Sequence, residues 1–431
     1  MNPTALRKLE RELHAFMWEM FQGLGRRERL EAMSWYVTGL LLDGERKSTE
    51  PMAGRLVDDP AEISAMRQRL QECVSISAWS DDMVCSRLAA RIDAELPGVE
   101  ALVIDDTGFP KKGKHSVGVQ RQYSGTLGRQ DNCQVATSLH LASEHGSACI
   151  ALRLYMPEPW CSDLERRRKA KVPDEVKFET KRDIALAQID AALGWGVRRH
   201  VVLADAGYGD STEFREALSA RGLHYVVAIP GAPVVWSPES SPSIPPKPTR
   251  MGRPRSTYSD PEHPPISVKD LSVTLTPRKV SWREGSRGWQ SSRFAAVRVR
   301  TAHGYSQGAP PGEEVWLLCE WRDDAPSATK FYLSNLPERT SLQKLVRLAK
   351  LRWRIERDYQ ELKQEIGLDH FEGRTWRGFH HHATLCSVAH AFLALRRALF
   401  PPEQSELDDP AGPPRPAAGP AQMDRPLSAM S

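Results

Sequence analysis

Between residues 3 and 42 apolar side chains return at helical spacing: Leu6, Leu9, Leu13, Phe16, Met17, Met20, Phe21 and Leu24 recur at intervals that place them on one stripe. Helical sequence resumes over residues 60–96, where Met66, Leu70, Cys73 and Val74 share a face, so the start of the chain reads as a small all-helical domain. The period then changes. Residues 99–105, 134–142 and 148–155 are short apolar runs of strand composition, the last two parted by the turn-like Ser143-Glu144-His145-Gly146. Helical spacing over 174–193 (Val176, Ile184, Ala187, Ile189, Ala192) is followed by a buried strand at 200–204, a helix at 211–220 and another strand at 224–229. The order expected is β-β-β-α-β-α-β.

From residue 230 to 262 the chain is crowded with Pro and Ser and reads as a loop. Alternating runs at 272–276, 294–301, 315–321 and 330–333 then suggest a mostly β module inserted before the last helices. A strongly periodic helix is expected over 341–364 and an apolar one over 383–400, while the Pro-, Ala- and Ser-rich end reads as disordered. The pattern divides the chain into a helical domain at 1–97 that could hold DNA or merely pack against the rest, the first part of an α/β core at 98–230, an inserted loop and β module at 231–340, C-terminal helices at 341–400 and a tail at 401–431. No internal repeat interrupts this order.

Composition changes the picture mainly by exclusion. Hydrophobic residues at 40% and charged residues at 26% are ordinary for a water-exposed globular chain, and no run of eighteen apolar residues offers a membrane span. The first dozen residues alternate acids and bases and lack a secretory signal, so a cytoplasmic location is expected. Seven cysteines, spread widely and without a Cys-x-x-Cys pair, indicate neither a disulfide framework nor a zinc finger. A net charge of +4 leans only weakly towards polyanions, but the basic residues are clustered: Arg166 to Lys171, then Lys247, Arg250, Arg253 and Arg255, then Arg347, Lys350, Arg352, Arg354 and Arg357. Any one cluster is ordinarily a solvated face.

Two apolar strands end in acids, at Val103-Ile104-Asp105-Asp106-Thr107 and Val202-Leu203-Ala204-Asp205-Ala206. A lone acid there is ordinarily a turn or helix cap. Two in one α/β unit are different, because a buried carboxylate is costly without a cation; with the strands side by side, Asp105 and Asp205 would face each other. On the helix through Lys350, Arg352, Glu356, Tyr359 and Lys363 fall on one stripe, which by spacing alone is more readily an ion pair on a solvated helix.

The run Arg352-Trp353-Arg354-Ile355-Glu356, with Lys363 seven residues after Glu356, resembles the Tyr-Arg-Glu-Lys signature helix of insertion-sequence DDE transposases, Ala349 standing at the Tyr position. Also similar to one branch of that family are Asp105-Asp106-Thr107-Gly108-Phe109-Pro110-Lys111-Lys112-Gly113, Arg121-Gln122-Tyr123-Ser124-Gly125, Ala204-Asp205-Ala206-Gly207-Tyr208-Gly209 and Gly367-Leu368-Asp369-His370-Phe371-Glu372-Gly373-Arg374. The resemblance implies an α/β fold with an RNase H-like core (β-β-β-α-β-α-β-α), a mostly β insertion before the last catalytic helix, and an N-terminal helical domain. It implies Asp105, Asp205 and Glu356 as catalytic ligands of two Mg²⁺ ions, with Mn²⁺ as a substitute, and Arg352 and Lys363 as DNA phosphate contacts. Adjacent residues on a strand point to opposite faces, so only one of Asp105 and Asp106 can meet Asp205; Asp105 is taken because relatives often carry Glu at the second position.

The implied partners are DNA, both terminal inverted repeats and target, and a second copy of the chain on that DNA. The implied activity is cut-and-paste transposition; the rivals are an RNase H-like nuclease without strand transfer and an inactive DNA-binding derivative. Three smaller features bear on DNA. Gly252-Arg253-Pro254-Arg255 resembles a minor-groove AT-hook arm. Among Trp282, Trp289, Trp316 and Trp321 of the β insertion one is a candidate to hold a flipped base, and His380-His381-His382 is expected to be exposed or to touch phosphate at a helix end.

Overall fold

The N-terminal stripe folds as two helices, α1 (Pro3–Phe21) and α2 (Arg27–Leu41), because Gly23 and Gly25 between them adopt the positive φ angles of 75° and 138° that end one helix and turn into the next. Three more follow: α3 (Thr49–Leu56), α4 (Ile63–Ser75) and α5 (Asp81–Glu95), the last capped by Ser80, whose hydroxyl accepts from the Met83 amide. The computed structural model describes residues 3–125, 128–245, 257–285, 288–322 and 325–400. The AT-hook-like residues 252–255, with Lys247 and Arg250, and the tail from residue 401 lie outside them.

The chain then enters a mixed sheet. In order come β1 (Ala101–Pro110), β2 (Gln120–Ser124), β3 (Arg129–Ala142) and β4 (Ser147–Leu154), then short helices α6 (Glu158–Ser162) and α7 (Leu164–Lys169) and the longer α8 (Lys181–Gly194), which opens on a capping box between Thr180 and Asp183. They are followed by β5 (Val201–Ala204), the one-turn α9 (Ala206–Gly209), α10 (Thr212–Ala220) and β6 (Tyr225–Ile229). β1 lies between β3, antiparallel to it, and β5, parallel to it, and β6 runs parallel beside β5. Strand β2 carries Gln-Arg-Gln-Tyr-Ser and has no apolar alternation, so the sequence reading passed over it.

After residue 230 the same sheet is extended. β7 (Val234–Trp236), β8 (Ile266–Ser267), helix α11 (Val268–Val273), β9 (Arg278–Arg283), β10 (Trp289–Thr301), β11 (Glu314–Trp321) and β12 (Lys330–Ser334) follow, and β12 pairs antiparallel with β6, joining them to the first strands. Two expectations fail here. The stretch taken as a loop contains β7, which pairs with β10. The strand expected at 272–276 begins inside α11, because Ser267 caps that helix and Asp270 returns the contact, so local capping overrides a weak alternation.

The sheet is covered on both faces. Leu102, Ile104, Val202 and Ala204 point into one core together with Ala185 and Ile189 of α8. Ala101, Val103 and Leu203 point into the other, where α12 (Leu342–Leu351) and α13 (Trp353–Gln360) supply Leu345, Leu348 and Ile355. The single helix expected over 341–364 is thus two helices parted at Arg352, and α13 runs on into a π-helical turn, Glu361–Glu365. The last helix, α14 (Trp376–Leu399), is buried along most of its length between β4 and helices α2, α4 and α5.

His380, His381 and His382 are the clearest reversal. All three are buried, since α14 is an interior helix rather than a surface one. His382 Nδ1 meets the Tyr36 hydroxyl at 2.9 Å and its Nε2 donates to the Gly367 carbonyl at 3.2 Å, while His381 stacks on Trp79 with ring centroids 3.7 Å apart. His381 and His382 join the N-terminal helical part to the rest, while His380 Nε2 accepts from the Leu154 amide of β4 at 3.3 Å.

Candidate active site

The register of β1 on β5, Ala101 against Val201 through Val103 against Leu203, puts the acids that follow at the same level on neighbouring parallel strands. Side chains two apart on a strand share a face. Asp105 and Asp205 therefore point to the same side as Val103 and Leu203, under α12 and α13. Asp106 points to the opposite side. There its carboxylate accepts from the Tyr208 hydroxyl at 2.5 Å and Thr137 Oγ1 at 3.1 Å and pairs with Lys181 Nζ at 2.8 Å. Its oxygens are thus occupied on the wrong face to meet Asp205.

Asp205 ends β5 and caps α9, its Oδ1 accepting from the Gly207 amide at 2.9 Å and the Tyr208 amide at 3.4 Å. Asp105 Oδ2 accepts from Arg352 Nη1 at 2.8 Å, and Arg352 Nη2 reaches Glu356 Oε1 at 3.5 Å. One guanidinium, 27% exposed, therefore bridges a helix acid that is itself 71% exposed and an acid in the middle of β1, which continues to Pro110 rather than ending at Asp105 and Asp106 as its apolar run suggested. Burial raises the Asp105 carboxyl to about 6; Arg352 opposes that rise and the nearby Asp205 adds to it. Burial works against the charge on Arg352, yet Asp105, Asp205 and Glu356, in that order, raise its pKa. The three acids singled out in the sequence thus act on one cation. Among the described residues no three His, Cys, Asp or Glu side chains stand close enough together to hold one metal ion.

Lys363 lies in the π turn that follows α13, its ammonium 6.0 Å from the ring centre of Tyr359. Its ammonium donates to the Gly108 carbonyl on β1 at 2.8 Å and lies 5.2 Å from the Phe109 ring centre. Burial lowers its pKa. Ala349, at the signature Tyr position, is buried in the helix core.

The third basic cluster is not a solvated face. Arg347 pairs with Glu100 at 2.6 Å, Lys350 with Glu320 at 2.5 Å and Arg357 with Glu361 at 2.7 Å. Arg167 of the first cluster is buried and caps the carbonyls of Val176 and Pro173. Of the four tryptophans, Trp282 and Trp321 are buried and Trp289, where β10 begins, is 67% exposed.

Beneath Glu356 lies a group the sequence reading did not single out: Asp358, His140, Ser147, Glu361 and His390, all buried. The signal was present, since Ile355, Asp358 and Leu362 occupy one apolar stripe and an acid in that position demands buried partners.

A family model described as DDE superfamily endonuclease matches residues 19–289, well over half of the chain. The protein is a member of the DDE endonuclease superfamily. In this DDE endonuclease the match takes in Asp105 and Asp205 and ends before Glu356. The chain is also 30% identical over 201 residues to the probable transposase for insertion sequence element IS701 of Microchaete diplosiphon; the alignment covers 46% of this chain and 48% of that relative. It therefore spans about half of the relative's length. Among the described residues no helix is long and apolar enough to cross a membrane.

Proposed function

We propose that this DDE endonuclease is the DNA transposase of an insertion sequence, cleaving at the element's terminal inverted repeats and joining the freed ends to target DNA. The observation that carries the reading is that Asp105 and Asp205 each follow by two residues the Val103–Leu203 pair of adjacent parallel strands, with Glu356 tied to Asp105 through one arginine. On this reading the first five core strands, β1, β3, β4, β5 and β6, are an RNase H-like core. Asp105, Asp205 and Glu356 would hold two Mg²⁺ ions, with Mn²⁺ as a substitute. The fit is chemical: the donor set is all oxygen, as a hard dication requires, and burial disfavours ionisation of Asp105 even with Arg352 beside it, so a dication there would favour its charged form. Such ions, when bound, ease deprotonation of an attacking water or 3′-hydroxyl and neutralise charge on the leaving oxygen.

The chain's own groups supply the remainder. Asp205, fixed by the α9 amides, and Asp105, fixed on β1, present their oxygens from a rigid sheet. Arg352, at the break between α12 and α13, is long enough to exchange Asp105 for a DNA phosphate, and its planar fork suits that acceptor. Lys363 adds a second cation beside the end of β1. Trp289 is the aromatic we assign to hold a displaced base beside the cut. Two element ends must meet during transposition, so the working form is a dimer on DNA, with one site for each end.

The test is incubation of purified protein with labelled DNA carrying its element's ends, with Mg²⁺ or with EDTA. Metal-dependent nicking followed by a product joined through the 3′-hydroxyl, both lost in Asp205→Ala, is expected. Cleavage with no joined product would leave an RNase H-like nuclease, and binding without any product would leave an inactive DNA-binding derivative.

A further inference from the structure

Asp358 is buried at 3% exposure two residues beyond Glu356, where an apolar side chain would be the cheaper occupant. Its Oδ2 pairs with His140 Nδ1 at 2.6 Å and its Oδ1 accepts from Ser147 Oγ at 2.6 Å, with His390 Nε2 3.8 Å away. The other ring nitrogen of His140 meets Ser138 Oγ at 3.0 Å, and that same hydroxyl meets the Tyr359 hydroxyl at 2.7 Å. Two successive residues of α13 are therefore bonded to two residues of β3 on one face. Ser138 is also the register partner of Asp105, and His140 that of Val103. Partners across an antiparallel pair share a face. The bonded patch thus lies directly beside Asp105.

The π turn extends the same arrangement. It places Glu361 where Oε2 meets His390 Nε2 at 3.3 Å and Arg397 Nη1 at 2.5 Å, so α14 grips the far end of the segment that β3 grips at its near end. Burial works against charge on Glu361, yet the hydrogen bonds from His390 and Arg397 bring it down to about 2. Glu356 itself, 71% exposed, has Arg352 as its one ion-pair partner among the described residues and depends on its backbone for its place.

We propose that Asp358 and His140 are positioning residues for the proposed phosphoryl-transfer site, fixing the segment that carries Glu356 against the strand beside Asp105. The inference rests on the reading of Asp105, Asp205 and Glu356 as the metal-holding acids. The network sets how far Glu356 stands from the two strand acids, and a loosened network costs the site its shape before it costs the protein its fold. Groups supporting metal ligands in this way typically contribute about 10-fold to 100-fold in metal affinity or activity.

The test uses the full chain with Asp358→Asn, His140→Gln and, as a milder break in the same network, Tyr359→Phe. The expected result is a half-saturating Mg²⁺ concentration for end cleavage raised about 10-fold in Asp358→Asn and His140→Gln and less in Tyr359→Phe. Excess Mn²⁺ should restore part of the rate, while binding of end DNA in Ca²⁺ is unchanged. Direct Mn²⁺ titration, followed by the resonance signal of the free ion, should show the same weakening without turnover. A merely structural role would lower melting temperature and active fraction but leave the metal dependence where it is. Should Asp358→Asn fail to fold, Tyr359→Phe carries the comparison. Folded variants with wild-type metal dependence, beside an inert Asp105→Asn, would overturn the positioning role alone; an active Asp105→Asn would overturn the reading beneath it as well.

Discussion

An acid within a buried strand needs a cation or a proton, and this molecule gives its two neighbouring strand acids different answers. Asp106 is held by Lys181, Tyr208 and Thr137, whereas Asp105 is held by Arg352 and stays close to protonation, near 6. The sequence shows both acids but not which one is bound up, because the partners come from residues 31 to 102 positions away. Histidine gives a sharper residue-scale expectation. Burial holds His382 down at about 4, against roughly 6.5 when unfolded. Below the unfolded value the open chain takes up a proton that the folded ring does not, so this contribution is complete above roughly pH 6.5 and is lost as pH falls towards 4. Its full size is about 3 kcal/mol. His382→Asn should therefore show a flatter loss of urea midpoint between pH 7 and 5 than the wild type; equal slopes would contradict the assignment. The triple histidine misled the sequence reading because α14 is apolar around its whole circumference at a distance from that triplet, and the partners that bury it, Tyr36 and Trp79, belong to another part of the chain.

Elements were legible where one period dominated. The strand at 201–204 and the helices at 181–194 and 212–220 followed their apolar repeats, as did the first half of β1, whose apolar run stops at Asp105 while its pairing with β3 carries it on to Pro110. Legibility failed for β2, which is polar, for α11, where a Ser-Asp cap outweighed alternation, and at Arg352 and the π turn, where a seemingly uninterrupted helix changes register. The Ala206-Gly207-Tyr208-Gly209 turn has a packing reason for its last residue. A Cβ at Gly209 would overlap the Ala228 carbonyl oxygen and stand 2.8 Å from Val227 Cβ, so only glycine lets α9 lie against β6. Gly209→Ala should cost about 3 kcal/mol by overpacking, read as a lowered thermal midpoint. Because α9 carries the amides that fix Asp205, cleavage should fall further than stability alone accounts for. A variant with wild-type melting and cleavage would contradict this packing.

For the whole molecule, the N-terminal helices share one apolar core with the sheet and α14. Phe16 packs on Phe392 with ring centroids 5.5 Å apart, Trp79 stacks on His381, and Arg396 pairs with Glu12. A fragment of residues 98–400 would expose the face of α14 and should be insoluble or bind hydrophobic dyes when expressed alone; a cooperatively melting fragment would contradict the shared core. From composition the first helices looked separable, and only three-dimensional packing reveals the common core. The same continuity bears on the proposed site: the sheet and α14 together brace the strands that carry Asp105 and Asp205 and the helix that carries Glu356.

Asp105, not Asp106, is proposed to form the reacting centre with Asp205 and Glu356. That assignment is tested most directly by single-turnover cleavage of end DNA with Asp105→Asn and Asp106→Asn side by side, each checked for folding and DNA binding. The account predicts that Asp105→Asn binds DNA but cuts it at least about 1,000-fold more slowly, the scale expected when a group central to the transition state is removed. Asp106→Asn should retain most of the rate, with a lowered melting temperature from its lost contact with Lys181. A folded Asp105→Asn that cuts at the wild-type rate, or an inert, well-folded Asp106→Asn beside it, would contradict the account.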